Sequence, residues 1–268
     1  MPTVTTNGAQ IYYEHSAPEV VSDGKDGQSE AIVFAHGAGG NAAIWYNQMA
    51  HFAPTYQCVA FDHRCFARSP ASSGEITVHH FRDDLLAILD ELEIERAHLV
   101  GQSMGGFTVL RCALDVPDRV QTLTLSCTSG GIHNPNPTPA MRGLTKSTGR
   151  GTDGVKATMA QKTHANLALM QLYESINNFN TEFSWDKLAH LLSRDDVVQL
   201  EQLAQVKCPT LLFAGKEDPL FPVALLESFV PHFDNAKIEV IEDAGHSPYF
   251  ERPEFFNELL GKHIAGNL

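Results

Sequence analysis

The chain has 268 residues, is 43% hydrophobic and 19% charged, and carries a net charge of −13. That is enough apolar sequence for one large α/β domain or two small ones, with no composition that points to disorder. The acidic balance, without any run of Lys or Arg, argues against nucleic acid and anionic membrane surfaces as partners, because both are bound through clustered cations.

Residues 4–13 are two β-prone runs around Asn7-Gly8, the pattern of a hairpin. After a polar loop through Glu30, the apolar run 31–35 reads as a strand buried on both faces of a parallel sheet, ending in His36-Gly37-Ala38-Gly39-Gly40. A helix is predicted from about Asn41 to Phe52, then a buried strand over 58–61 that ends in Asp62-His63-Arg64. Thr77 has the character of an N-cap, and Phe81, Leu85, Ile88 and Leu92 recur behind it at helical spacing. Residues 97–100 form the strand that feeds Gly101-Gln102-Ser103-Met104-Gly105. Phe107, Leu110 and Ala113 are expected to seat the following helix on the sheet, and 120–127 is a further strand.

Strand and helix alternate to this point, which implies a parallel sheet with helices on both faces. From about Gly130 to Lys207 the rhythm breaks, with prolines at 135, 137 and 139 and a Gly-rich loop from Gly149 to Gly154. Helix-like patches follow over 159–176, 185–192 and 197–203. A parallel crossover needs only about a dozen residues. The excess reads as a helical cap (130–207) inserted in a core made of 1–129 and 208–268. The rhythm resumes with a strand over 210–214, a helix from about Val223, a strand over 238–241 and a last helix carrying Phe256, Leu259, Leu260 and Ile264.

The five cysteines (Cys58, Cys65, Cys112, Cys127 and Cys208) are an odd, scattered set, which points to buried reduced thiols in a cytoplasmic protein. Residues 1–7 show neither the basic nor the apolar part of a secretory leader, and no apolar stretch approaches bilayer-spanning length. The only Asn-x-Thr pattern, at Asn136, has Pro137 in the middle and is excluded as a glycosylation site.

The chemistry gathers at Gly101-Gln102-Ser103-Met104-Gly105. A nucleophilic serine must be lifted off a sharp strand-to-helix turn, where bulky residues two positions away on either side would clash. The bland alternative is a small residue in a Gly-rich turn. Ser103, Asp218 and His246 each follow a predicted strand closely, so all three are expected at the carboxyl edge of the sheet, where ligands bind in such folds. A serine hydroxyl needs an adjacent base, and the base needs a group to orient it. Glu217 and Asp243 rival Asp218 as that group; Asp218 is preferred because it precedes Pro219 in the loop after a strand. Ser184-Trp185-Asp186-Lys187 spells Ser-x-x-Lys but lacks companion motifs, and neither a zinc spacing nor a Gly-x-Gly-x-x-Gly opening a helix is present.

Four motifs in this order resemble the α/β-hydrolase superfamily over nearly the whole chain: His36-Gly37-Ala38-Gly39-Gly40, Gly101-Gln102-Ser103-Met104-Gly105-Gly106, Ala214-Gly215-Lys216-Glu217-Asp218-Pro219, and Ala244-Gly245-His246-Ser247-Pro248 with Glu251-Arg252-Pro253 behind it. The resemblance implies an α/β-hydrolase fold, with a mostly parallel central sheet, helices on both faces and an inserted helical cap. It implies Ser103 as nucleophile, His246 as base and Asp218 as acid. The Met104 and Ala38 N–H groups, with Gly39 in reserve, would form the oxyanion hole. His36 would support that loop. Gly37, Gly39 and Trp45 are expected substrate contacts, Trp45 being equally readable as a core aromatic. No metal or cofactor is called for.

The sequence departs from the family at Asp62-His63-Arg64-Cys65-Phe66-Ala67-Arg68-Ser69, where Cys65 and Ala67 fill two glycine positions. Either the turn takes another path or it tolerates side chains there. Serine at the elbow counts against the dehalogenase and epoxide-hydrolase branches. The motifs are similar to those of small-molecule carboxylesterases and lactonases, enol-lactonase-like proteins included. The expected partner is thus a small-molecule ester or lactone, with no nucleic acid or membrane, in a monomer or homodimer. Two alternatives stay open: C–C bond hydrolysis or peracid formation on the same scaffold, and a non-enzymatic ligand sensor.

Overall fold

The computed structural model describes residues 1–18, 29–71, 76–134, 136, 138–144, 156–181, 191 and 196–268. Among them the apolar runs become eight strands: β1 (Thr3–Thr6), β2 (Ala9–Ser16), β3 (Ala31–Ala35), β4 (Gln57–Phe61), β5 (Ala97–Gln102), β6 (Val120–Ser126), β7 (Thr210–Gly215) and β8 (Ala236–Ile241). They form one sheet in the order β1-β2-β4-β3-β5-β6-β7-β8. β1 and β2 make the predicted hairpin, with Asn7 and Gly8 both at positive φ, as a two-residue type I′ turn requires. β1–β2 and β2–β4 are antiparallel, and the other five neighbouring pairs are parallel.

The helices in chain order are α1 (Tyr46–Phe52), α2 (Val78–Glu91), α3 (Met104–Asp115), α4 (Pro139–Leu144), α5 (Gln161–Ala165), α6 (Leu167–Asn177), α7 (Val223–Phe229), α8 (Pro248–Glu251) and α9 (Pro253–Ile264). A 3-10 turn, Ala42–Trp45, precedes α1, and the Asn41 side chain caps it by accepting from Ala43 N. Thr77 caps α2 by accepting from His80 N, as its sequence position predicts.

Alternation along the strands divides the core between two faces. Val33 and Leu99 pack with Leu85 and Ile88 of α2, Val109 and Leu110 of α3 and Phe229 of α7. Ile32, Phe34, Val100 and Phe213 pack with Phe52 of α1 and Phe256 and Leu260 of α9. Leu110 and Ala113 seat α3 as predicted, but Phe107 does not join them. It lies at the rim, half-buried against the cluster of Cys65, Phe66 and Met104.

Two expectations need correction or qualification. Trp45, expected as a substrate contact, is fully buried, its ring 4.3 Å from that of Tyr249 and 5.1 Å from that of Phe34. The 3-10 turn rotates it into the core, so it is a packing residue. Between β6 and β7 the patch 159–176 is two helices broken at Asn166, whose side chain caps the second by accepting from Leu169 N. The patch 197–203 is realised as a 3-10 segment, Leu200–Gln205, after a single bridge between Ile132 and Val198. The patch 185–192, apart from Leu191, and the Gly149–Gly154 loop and Ser184–Lys187 lie outside the described residues. All five cysteines are described, and no disulfide links them. No helix among the described residues is long and apolar enough to cross a membrane.

Candidate active site

β5 runs directly into α3, and Ser103 sits at the junction with φ 49° and ψ −114°, a strained backbone for a residue with a side chain. The surroundings fix it there. Its N–H donates to Ser126 O (3.0 Å), and its carbonyl accepts from Gly106 N (3.0 Å) and Thr128 Oγ1 (2.6 Å). A Cβ on Gly101 would run into Gly105 O, and one on Gly105 into Ala35 O. Both glycines are therefore required by close backbone approach. The opening of α3 leaves the Met104 N–H without a partner in its own helix, beside the serine.

Asp218 and His246 arrive from the loops after the neighbouring strands β7 and β8. Asp218 Oδ2 lies 2.9 Å from His246 Nδ1, and both residues are buried. The other carboxylate oxygen accepts from Leu220 N (2.8 Å). An ionised carboxylate only accepts, so His246 donates through Nδ1 and keeps Nε2 as its basic nitrogen. The histidine main chain is held as well: its N–H donates to Thr158 O (3.0 Å) and its carbonyl accepts from Gln102 Nε2 (2.8 Å). Phe221 stacks on the ring at 5.7 Å. The rival carboxylates go elsewhere. Glu217 accepts from Gln161 N, and Asp243 is exposed between Lys162 and Arg252.

Cys127, at the end of β6, brings its sulfur within 4.8 Å of both the Asp218 carboxylate and the His246 ring nitrogen. Three such donors raise the question of a metal. Burial pushes the thiol well above its ordinary value, and the charge of Asp218 adds to that. Asp218 Oδ2 and His246 Nδ1 are engaged with each other at 2.9 Å, and Asp218 Oδ1 accepts from Leu220 N, so these donor atoms are already paired within the protein.

The loop 36–40 after β3 forms the opposite wall. His36 donates through Nδ1 to Gly37 O (2.8 Å) and accepts through Nε2 from His63 N (3.0 Å). Burial pushes its pKa down to about 4, so it is a neutral strut for the loop. A Cβ on Gly37 would lie 3.1 Å from Ser103 Cβ, which sets the loop against the serine. Among the described residues, the N–H groups of Ala38, Gly39 and Met104 have no acceptor. Gly37 and Gly39, expected to touch substrate, are buried backbone positions. The Gly37 carbonyl is taken by His36 and Gly40 N, and that of Gly39 by Asn180 Nδ2 (2.6 Å).

A family model described as alpha/beta hydrolase fold matches residues 30–253, from β3 past the histidine loop. The chain belongs to the α/β-hydrolase family. This hydrolase is 25% identical over 280 residues to the putative carbamate hydrolase RutD of Caulobacter sp. strain K31, covering 99% of each chain. It is 26% identical over 236 residues to 3-oxoadipate enol-lactonase 2 of Acinetobacter baylyi, covering 86% of each. Among solved structures it superposes with a TM-score of 0.80 on Est816, described as an N-acyl homoserine lactone degrading enzyme. That match has 26% identity and covers 97% of this chain and 99% of the other.

In this α/β-hydrolase the turn 62–69 keeps the left-handed backbone although its two glycine positions are filled. Cys65 has φ 69° and Ala67 φ 36°. Non-glycine residues in this region cost roughly 1–2 kcal/mol each. Cys65 N donates to Ser69 O (2.8 Å), Arg68 N to Asp62 Oδ2 (2.9 Å), and Ala67 N to Asn180 Oδ1 (3.0 Å). Asn180 carries no signal in the sequence, and Glu251 stands in the histidine motif with no role legible there, although its carboxylate accepts from Gly245 N and Ser247 N of the histidine loop.

Proposed function

We propose that this α/β-hydrolase cleaves a small-molecule carboxylic ester or lactone through an acyl-enzyme on Ser103. The reading is carried by one observation: the buried His246–Asp218 hydrogen bond stands at the same sheet edge as a serine held in a strained, outward-turned backbone. In this reading Ser103 Oγ attacks the carbonyl carbon while His246 Nε2 takes its proton. Asp218 holds the tautomer and stabilises the imidazolium that forms. The N–H groups of Met104 and Ala38, with Gly39 beside them, receive the negative charge on the carbonyl oxygen. His246 then returns the proton to the leaving alcohol and activates water to free the acyl group. Residues 130–207 act in this reading as a cap whose apolar positions set substrate choice.

Relatives named as lactonases and a carbamate hydrolase support the assignment, since each of those bonds offers a carbonyl to a nucleophile. The test is intact-mass analysis after a fluorophosphonate probe, on wild type and Ser103→Ala. One adduct on wild type and none on the variant is expected, followed by turnover on a panel of esters, lactones and carbamates. A folded wild type that takes no adduct would overturn the serine mechanism and leave a ligand sensor as the better reading.

A further inference from the structure

Glu251 ends α8 directly behind the histidine loop, and the chemistry above makes no use of it. Its residue is only 6% exposed, yet its carboxylate accepts four hydrogen bonds. Oε1 takes the N–H groups of Gly245 and Ser247, both at 3.0 Å, the residues on either side of His246. Oε2 takes Ala160 N at 2.8 Å and Thr163 Oγ1 at 2.7 Å, from the chain between β6 and β7. All four partners donate, which suits an ionised carboxylate.

The histidine's own N–H completes the pattern, because it donates to Thr158 O in the turn that Glu251 grips. Three successive N–H groups, at 245, 246 and 247, thus end on Glu251 or on that turn. Contact is close enough that a Cβ on Gly245 would run into Thr158 O and Ala160 N. Burying a charge is costly unless charge-assisted hydrogen bonds compensate. A residue that only filled space here would be apolar.

We propose that Glu251 is a positioning residue: together with the 158–163 turn it clamps the histidine loop and so sets the His246 ring against Asp218. The proposal rests on His246 being the base of the reaction above. It makes the chain between β6 and β7 part of the catalytic geometry as well as a cover over it. The titratable groups around this loop include Asp218, Cys127, Glu251, Tyr173 and Tyr249 on its buried side and Glu217, Asp243, Lys162 and Arg252 on its more exposed side. Burial pushes the thiol and both phenols up, and it pushes the Glu251 carboxyl up too, while the four donors to Glu251 oppose that shift.

The test compares wild type with Glu251→Ala, Glu251→Gln and Thr163→Val on a p-nitrophenyl ester. Misplacing a base by about 1 Å costs on the order of 10²-fold, so Glu251→Ala should lose about that much kcat while KM moves less than about threefold. Glu251→Gln keeps an acceptor for one pair of donors and should fall between. With one negative charge gone, the acid limb of its kcat/KM profile should move to lower pH, since the imidazolium is less favoured. Thr163→Val removes one donor and should give the smallest loss. In parallel, the low-field proton resonance of His246 Nδ1–H, assigned by its absence in His246→Ala, should shift or broaden in the Glu251 variants.

Folded variants with kcat within about twofold of wild type and an unmoved resonance would reduce Glu251 to a structural residue. Should Glu251→Ala fail to fold, an unchanged kcat, acid limb and resonance in Glu251→Gln overturns the proposal by itself. Wild type that takes no fluorophosphonate would sink the serine-hydrolase reading instead. The resonance needs only the His246–Asp218 pair, so it still decides the role of Glu251.

Discussion

Asp218 Oδ2 and His246 Nδ1 meet at 2.9 Å although their residues are 28 positions apart, because β7 and β8 run side by side and end together. The second carboxylate oxygen is tied to Leu220 N, so the acid cannot swing away from the ring. Asp218→Asn keeps that backbone bond but offers the imidazole the wrong partner. The fold should survive, and kcat should fall by roughly 10⁴, as a misplaced tautomer implies. Ester turnover beside a thermal melt checks both halves. Near-normal turnover would move the acid to Glu217 or Asp243.

Asn180 makes a matching claim for the 36–40 loop, the proposed oxyanion wall. Its amide nitrogen donates to the carbonyls of Gly39 and Gly40 (2.6 and 3.0 Å), while its oxygen accepts from Ala67 N. Removing a direct oxyanion donor costs on the order of 10²–10³ in rate, so a residue that orients the loop should cost less, about tenfold in kcat for Asn180→Ala. Affinity for a boronic acid, which mimics the tetrahedral adduct, should fall in step while KM stays put. A change in melting temperature alone would confine Asn180 to holding the chain together.

Trp45 separates the core reading from the substrate reading. Its ring packs at tilted angles among Phe34, Tyr249 and Phe256. Trp45→Ala should therefore cost about 3–5 kcal/mol of stability by leaving a cavity. Trp45→Phe should cost less and leave the ranking of ester chain lengths unchanged. Urea denaturation and a KM series measure the two. A reordered ranking in a stable Trp45→Phe protein would return the ring to the pocket.

These contrasts show which physical signals a sequence carries. The buried strands were legible because a parallel sheet covered on both faces demands continuous apolar runs such as 31–35 and 58–61. The elbow was legible because close approach at Gly101 and Gly105 leaves no room for a Cβ. Thr77 was legible as a local cap. Trp45 was not, because a 3-10 turn lacks the helical period that would have pointed it inward. Glu251 and Thr163 are 88 residues apart, and Asn180 and Gly39 are 141 apart. Such hydrogen bonds depend on how the chain folds back and leave no spacing to read. At Cys65 and Ala67 the sequence posed a question that only the backbone answers, and both residues accept the left-handed path.

Ala67 turns that answer into a stability prediction. With φ at 36° it bears a strain of roughly 1–2 kcal/mol that glycine would not. Glycine also frees the unfolded chain, which offsets about 0.4–1 kcal/mol of the gain. Ala67→Gly should therefore stabilise the protein by up to about 1.5 kcal/mol, read from the urea midpoint. The gain should persist only while Asn180 still accepts the residue's N–H. A loss of stability in Ala67→Gly would mean that the methyl group contributes more packing than its backbone angle costs.

His36 predicts how stability depends on pH. Both ring nitrogens are engaged, Nδ1 donating to Gly37 O and Nε2 accepting from His63 N, so only the neutral ring satisfies the site. Burial lowers its pKa from the ordinary 6.5 to about 4, and burial pushes the adjacent His63 down as well. Between those values the unfolded chain binds a proton that the folded chain refuses. Stability from this group is therefore complete above about pH 6.5 and drains away as pH falls toward about 4, by about 3 kcal/mol. Urea midpoints taken from about pH 7.5 down to about pH 4.5 should trace the loss. His36→Gln should start lower, because it breaks the loop's support, yet decline less steeply, because one of the refused protons is gone. Parallel declines in the two proteins would mean that His36 takes up its proton in the folded chain at the ordinary pH.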